Sequence, residues 1–107
     1  LALVALAPDP EGPGGQAIVG IARSIANLDH ESAEFAVVTA DAWQGRGVAS
    51  ALMKALIACA KKRGLQRLVG TILRANQNMI RFTQGLGFAV RDDPEDPEQV
   101  TAELPLQ

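Results

Sequence analysis

The feature that most constrains this chain is a glycine-containing turn followed directly by an amphipathic helix. The turn reads Gln44-Gly45-Arg46-Gly47-Val48-Ala49. From Gly47 to Arg63, apolar side chains recur at steps of three and four residues, which predicts a helix with one wide buried face. Gly64 is placed to end that helix in a left-handed conformation. Such a helix must pack against a second layer, so it predicts a layered domain.

Apolar runs on both sides of this helix predict that the second layer is a sheet. Strands are expected at 34–39 and 67–74, and with the helix they form a strand–helix–strand unit. We expect this unit to be a right-handed parallel crossover. The other expected strands are 1–7 and 16–25, which form a hairpin, 88–91, and an edge strand at 100–104; a second helix is expected at 76–85.

Length and composition limit the domain count and the possible partners. The 107 residues fit one domain, 1–107, and its 10 basic and 12 acidic residues predict no contact with nucleic acid or an anionic membrane. The lone cysteine, Cys59, permits no intrachain disulfide, and no metal-ligand spacing occurs. We therefore expect a cytoplasmic protein without a metal. The chain begins with Leu1 inside an apolar run, so we expect an N-terminally truncated fragment.

The junction between strand 34–39 and the helix has the chemistry of an anion site. A helix start exposes unpaired N–H groups and the positive end of the dipole. Gly45 and Gly47 have no Cβ atoms, so a bulky ligand can approach the backbone, and Arg46 adds a cation. These features suit a pyrophosphate. The pattern is neither a Walker A loop nor a GxGxxG fingerprint. The glycines could equally serve only to shape the turn, and the residues alone leave both interpretations open.

Two motifs bring the chain close to a known superfamily. Gln44–Ala49 matches the Gln/Arg-x-x-Gly-x-Gly/Ala signature of the GNAT N-acetyltransferases, and Asn76 with Leu86–Phe88 resembles their Asn-(x)n-Leu-Gly-Phe segment. The resemblance covers essentially the whole chain. It implies an α+β (mixed α/β) GNAT fold: a mostly antiparallel twisted sheet with a β-α-β crossover and helices on both faces, with the N-terminal strand and helices missing here. It also implies acetyl-CoA as co-substrate and an amine as acceptor.

A narrower likeness concerns the acceptor. The segments 33–38, 41–47, 68–70 and 92–97 look like the acetyltransferase domain of bacterial protein-lysine acetyltransferases of the Pat type. That likeness implies a protein lysine as acceptor, often on an acyl-CoA synthetase, and a domain that is commonly fused to a synthetase-like region. Two alternatives stay open: a small-molecule amine as acceptor, and a domain that senses acetyl-CoA without catalysis.

The family pattern assigns roles to particular residues. Glu34 stands in the position of the general base, although it could be an ordinary solvated carboxylate, and Glu31 in the neighbouring loop is its rival. The family pattern puts the pantetheine arm along strand 34–39 and the pyrophosphate at the turn, with Asn76 beside the arm. The implied cofactor-binding residues are Val37, Val38, Thr39, Gln44, Gly45, Arg46, Gly47, Val48, Ala49, Ser50 and Asn76.

One departure from the family concerns the general acid. Many GNAT enzymes carry a tyrosine five residues before the Phe of the Gly-Phe pair; here Thr83 holds that position, and the chain has no tyrosine. Pat-like domains also tend to lack it. A thiol with a pKa near ~8.5 is a fair leaving group without an acid. We therefore expect Thr83 to be dispensable for turnover, and Trp43 to pack the loop before the helix.

Overall fold

The computed structural model describes residues 1–106, which form a mixed α+β domain. Six strands make one sheet in the order β1-β2-β3-β4-β6-β5, and two helices pack on it. Neither helix is long and apolar enough to cross a membrane. The elements are β1 (Ala2–Pro8), β2 (Gln16–Ala26), β3 (Ser32–Thr39), α1 (Val48–Lys62), β4 (Arg67–Leu73), α2 (Gln77–Gly85), β5 (Ala89–Asp92) and β6 (Gln99–Pro105).

The sheet is antiparallel everywhere except between β3 and β4, as expected for this fold. The predicted hairpin of β1 and β2 is confirmed. The predicted edge position of the last strand is wrong, because β6 lies between β4 and β5. Its alternating pattern, with Val100 and Ala102 buried, indicates only that one face of the strand packs against the core. An interior strand with one open face shows the same alternation as an edge strand.

Both helices lie on the same face of the sheet. β4 and β5 are each antiparallel to β6 and therefore run parallel to one another. The connection from β3 through α1 to β4 and the connection from β4 through α2 to β5 both move toward the β5 edge of the sheet. Two right-handed connections in the same direction place α1 and α2 on one side. Within residues 1–106, no α-helix therefore packs on the opposite face of the sheet, where the family pattern places further helices. That face exposes the large apolar side chains of Val4, Leu6, Ile18, Ile25, Val38 and Leu73.

A buried glycine sets the height of α1 above the sheet. A Cβ on Gly20 of β2 would lie 2.7 Å from Cγ1 of Val48 and 2.9 Å from Cδ1 of Leu52. Real Cβ atoms essentially never show such contacts, so a larger residue here would require the Val48 and Leu52 side chains to shift. Because Gly20 pairs with Thr39, the helix start is brought beside the end of β3.

The opposite end of β3 is held by Asp29. Its carboxylate accepts the backbone N–H groups of Glu31 and Ser32 at 2.8 and 2.9 Å, and it pairs with Arg67 at 3.0 Å. These backbone hydrogen bonds, with smaller contributions from the Ser32 hydroxyl and Arg67, lower the pKa of Asp29 to about 2. The turn before β3 is therefore tied to the start of β4.

Candidate cofactor-binding site

The two central parallel strands separate after a short ladder. β3 and β4 share three paired positions, from Ser32↔Arg67 to Glu34↔Val69. Both strands continue further, β3 to Thr39 and β4 to Leu73. Beyond the last pair they form an open fork inside the sheet, with backbone groups that no neighbouring strand uses.

The register of β3 fixes which of its backbone groups face the fork. The Ala40 N–H donates to the Val19 carbonyl and the Asn27 N–H donates to the Ser32 carbonyl, both at 2.9 Å. Since the β2–β3 register is unbroken between these points, the even-numbered residues of β3 bond to β2. Val37 and Thr39 therefore turn their N–H and C=O groups toward the fork. The Val38 backbone pairs with β2, so its N–H and C=O groups do not face the fork, although Val38 lines the cavity.

The start of α1 lies next to the end of β3 and offers free N–H groups. The cap residue is Gly47, with φ 82° and ψ 5°, and no side chain caps the helix. The first intrahelical bond runs from the Ala51 N–H to the Gly47 carbonyl at 3.0 Å. The N–H groups of residues 48–50 therefore have no partner within the helix. Gly45 also has a positive φ, 78°, which favours glycine.

The fork and the helix start open into one cavity of about 730 Å³. Every cofactor-binding residue predicted from the sequence lines this cavity except Arg46. Asp41, Trp43, Asn78, Met79 and Phe82 also line it and were not predicted. Met79 lies three residues after Asn76 and Phe82 three residues after Met79, so helical spacing from Asn76 could have found these two. Asn78, two residues after Asn76, carries no such signal. The full lining is Val37, Val38, Thr39, Asp41, Trp43, Gln44, Gly45, Gly47, Val48, Ala49, Ser50, Asn76, Asn78, Met79 and Phe82.

The Arg46 side chain lies outside this cavity. Its guanidinium carbon sits 4.9 Å from the centre of the Trp43 ring, a cation–π contact. The side chain lines a separate groove between β1 and α1. In this arrangement the Arg46 guanidinium contacts Trp43 and not the cavity, and its part in anion binding stays a prediction. Anion binding would depend on the backbone N–H groups and the helix dipole.

Asn76 has a structural role that the motif did not reveal. It is the N-cap of α2, and its Oδ1 accepts the Met79 N–H at 3.2 Å. The family motif and the capping preference for Asn thus coincide at one position. Because the cap uses the oxygen, the NH₂ group of the same side chain is the part left to meet a ligand.

Glu34 stands at the base of the fork but does not line the cavity. It is exposed and belongs to the last ladder pair. Its side chain points to the face opposite α1, since it alternates with the buried Phe35. Glu31 pairs with Arg67 at 3.6 Å. Among the described residues, Glu34 has no ion-pair partner, and it is the carboxylate on β3 itself.

Thr83 is unsuited to proton transfer. It is completely buried, with 0% exposure. Its hydroxyl donates to the carbonyls of Met79 and Ile80 at 3.1 and 3.0 Å. The side chain is part of the buried packing of α2, and it is not among the residues that line the cavity.

Comparisons with known proteins agree with this geometry. Residues 6–88 match the acetyltransferase (GNAT) family. An acetyltransferase of Pseudomonas aeruginosa is 36% identical over 88 residues, 82% of this chain and 47% of its own length. The GNAT domain of S. lividans PAT superposes with a TM-score of 0.75 at 30% identity, covering 88% of this chain and 57% of that one.

A third protein, yncA of Salmonella typhimurium, was solved with its cofactor acetyl-CoA. It superposes with a TM-score of 0.72 at 24% identity, covering 84% of this chain and 59% of that chain, and supports the fold alone. This chain spans about half the length of the curated relative it matches. The family match extends over most of the chain and includes the turn, the fork and α2, so the chain belongs to the acetyltransferase (GNAT) family.

Proposed function

We propose that this chain binds acetyl-CoA and serves an enzyme that transfers the acetyl group to an amine. The observation that carries the proposal is the continuity of two free backbone surfaces: the unpaired edge of β3 leads directly to the uncapped start of α1. A ligand with an extended, amide-containing arm and a charged phosphate end fits this surface: the arm suits the strand edge and the phosphate suits the helix start. Membership of the family supports the same ligand. The structure of yncA, which shares the fold, was solved with acetyl-CoA.

The proposal gives the bound cofactor one direction. The pyrophosphate accepts N–H bonds from residues 48–50, with the helix dipole adding attraction. The pantetheine amides pair with Val37 and Thr39 as an added strand would. The Asn76 amide and the apolar Met79 and Phe82 border the other side of the cavity. The thioester end therefore runs toward Glu34 at the base of the fork.

Glu34 supplies the base that the chemistry requires. An alkyl ammonium with a pKa of ~10.4 is protonated at neutral pH and cannot attack a thioester. A carboxylate that accepts its proton, directly or through one water, makes it a nucleophile. The N–H of Val37 faces the fork and can stabilise the charge that develops on the thioester oxygen. The departing thiolate needs little help from an acid.

The acceptor class we propose is a protein lysine. The support is the 30% identity with the GNAT domain of S. lividans PAT and the Pat-like segments 33–38 and 41–47. The proposed target is a lysine of an acyl-CoA synthetase. We also propose that the domain is fused to a synthetase-like region and that the protein is cytoplasmic. A small-molecule amine is the alternative acceptor.

The first prediction concerns the helix start. Gly47→Glu should weaken acetyl-CoA binding at least about tenfold, because a carboxylate would meet the pyrophosphate at the site of its N–H donors. Gly64→Glu is the matched control: Gly64 has φ 80°, Gly47 has φ 82°, and neither has an atom within 4 Å of an added Cβ. Calorimetry measures both. Equal affinities in the two variants would refute the pyrophosphate assignment.

The second prediction concerns the base. Glu34→Gln should reduce turnover by about 10²–10⁴-fold, the usual range for general-base catalysis, while acetyl-CoA affinity stays unchanged. Glu31→Gln is the control, since Glu31 is engaged by Arg67. Thiol release with a lysine peptide as acceptor gives the rate. Full activity of Glu34→Gln across a pH series would remove Glu34 as the base, and a parent that binds without turnover would favour the sensor function.

The third prediction concerns Thr83. Thr83→Val should keep its turnover, because the hydroxyl lies in the core and bonds only to helix carbonyls. The variant should lose about 1 kcal/mol of stability through the missing hydrogen bonds. Thermal unfolding and the thiol-release assay measure the two effects separately. A folded variant with most of its turnover lost would make Thr83 part of the catalytic machinery.

A further inference from the structure

The separation of β3 from β4 begins at one pair of residues. Glu34↔Val69 is the last pair of the ladder, so Phe35 and Gly70 are the first residues that face one another across the fork. The β2–β3 register is continuous from Gly20↔Thr39 to Ala26↔Ala33, and the β4–β6 register is continuous over β4. No inserted residue bends either strand here. The side chains at the first unpaired position supply another cause.

The ring of Phe35 occupies the place of a side chain on Gly70. An ideal Cβ on Gly70 would lie 2.6 Å from Cε1 and 2.8 Å from Cζ of that ring. Phe35 is buried, and its ring packs against Phe88 with centroids 5.1 Å apart and planes tilted by 57°. The ring is thus fixed over the β4 backbone at the point where the ladder stops.

We propose that Phe35, seated on Gly70, is a positioning residue that stops the β3–β4 ladder and keeps the Val37 N–H free for the pantetheine arm. In a parallel ladder, each strand bonds through alternate residues. Two further paired positions would join the Phe35 carbonyl and the Val37 N–H to β4. The Val37 N–H would then be the first cofactor-binding group lost. This inference rests on the proposed function only for the identity of the ligand.

The same contact sets how far the arm enters. The phosphate end is held at α1, and β3 runs from Thr39 back to Phe35, four residues or about 13 Å at ~3.3 Å per residue. Only alternate residues of β3 direct their N–H and C=O groups toward the fork. If the arm moved along β3 by one residue, its amides would lie opposite residues whose groups already bond to β2. A fixed end of the fork therefore keeps the thioester in register with Val37 and beside Glu34.

Amide exchange in the unliganded chain tests this directly. The Val37 amide of the parent should exchange rapidly. In Phe35→Leu the ladder should extend, so exchange at Val37 should slow about tenfold or more, as expected for an amide that must open locally. Acetyl-CoA affinity should fall by a similar factor. Adding Gly70→Ala to Phe35→Leu refills the vacated space, so the double variant should move back toward the parent in both measurements.

A buried residue on β6, a strand that does not border the fork, provides the control. Val100→Ala on β6 shortens a side chain that is 4% exposed, and it should lower stability without altering Val37 exchange or acetyl-CoA affinity. Unchanged Val37 exchange in Phe35→Leu would overturn the proposal, and so would an equal change in Val100→Ala. If the parent binds no acetyl-CoA, the proposed function fails, and the exchange result alone still decides the role of Phe35.

Discussion

The structure depends on an incomplete ladder between two parallel strands. After the pair Glu34↔Val69, β3 keeps its antiparallel bonds to β2 but has no partner on the other side. An unpaired strand edge inside a sheet is unfavourable unless water or a ligand satisfies its polar groups. The fork therefore leaves polar backbone groups without a strand partner. The same groups, the N–H and C=O of Val37 and Thr39, form a specific recognition surface.

The second half of the site follows from the contact between α1 and the sheet. Gly20 lets the first turn of α1 lie close over β2, and the register puts Thr39 beside it. The uncapped N–H groups of the helix and the free edge of β3 thus become one continuous surface. Charge is supplied by the backbone, since Arg46 packs on Trp43 outside the cavity. A site built this way recognises an extended ligand with an anionic end.

Local signals predicted most of the fold, because helix periodicity, glycine positions and apolar alternation are recorded in neighbouring residues. Non-local features were less accessible. The place of β6 inside the sheet and the single face used by both helices depend on strand order, which no short pattern encodes. At the site, the motif located the loop, but the Arg46 side chain direction and the backbone direction of Val38 depend on tertiary contacts and register. Glu34 was assigned from its position in the family pattern, and its role remains a prediction.

Hydrogen exchange at three consecutive amides of β3 tests the central claim most directly. The account predicts that acetyl-CoA slows exchange of the Val37 and Thr39 amides, which face the fork, and leaves Val38 almost unchanged because that amide already bonds to β2. Equal protection of all three amides would indicate a general stabilisation without strand-like binding. No change at Val37 and Thr39 in the presence of saturating acetyl-CoA would contradict the account.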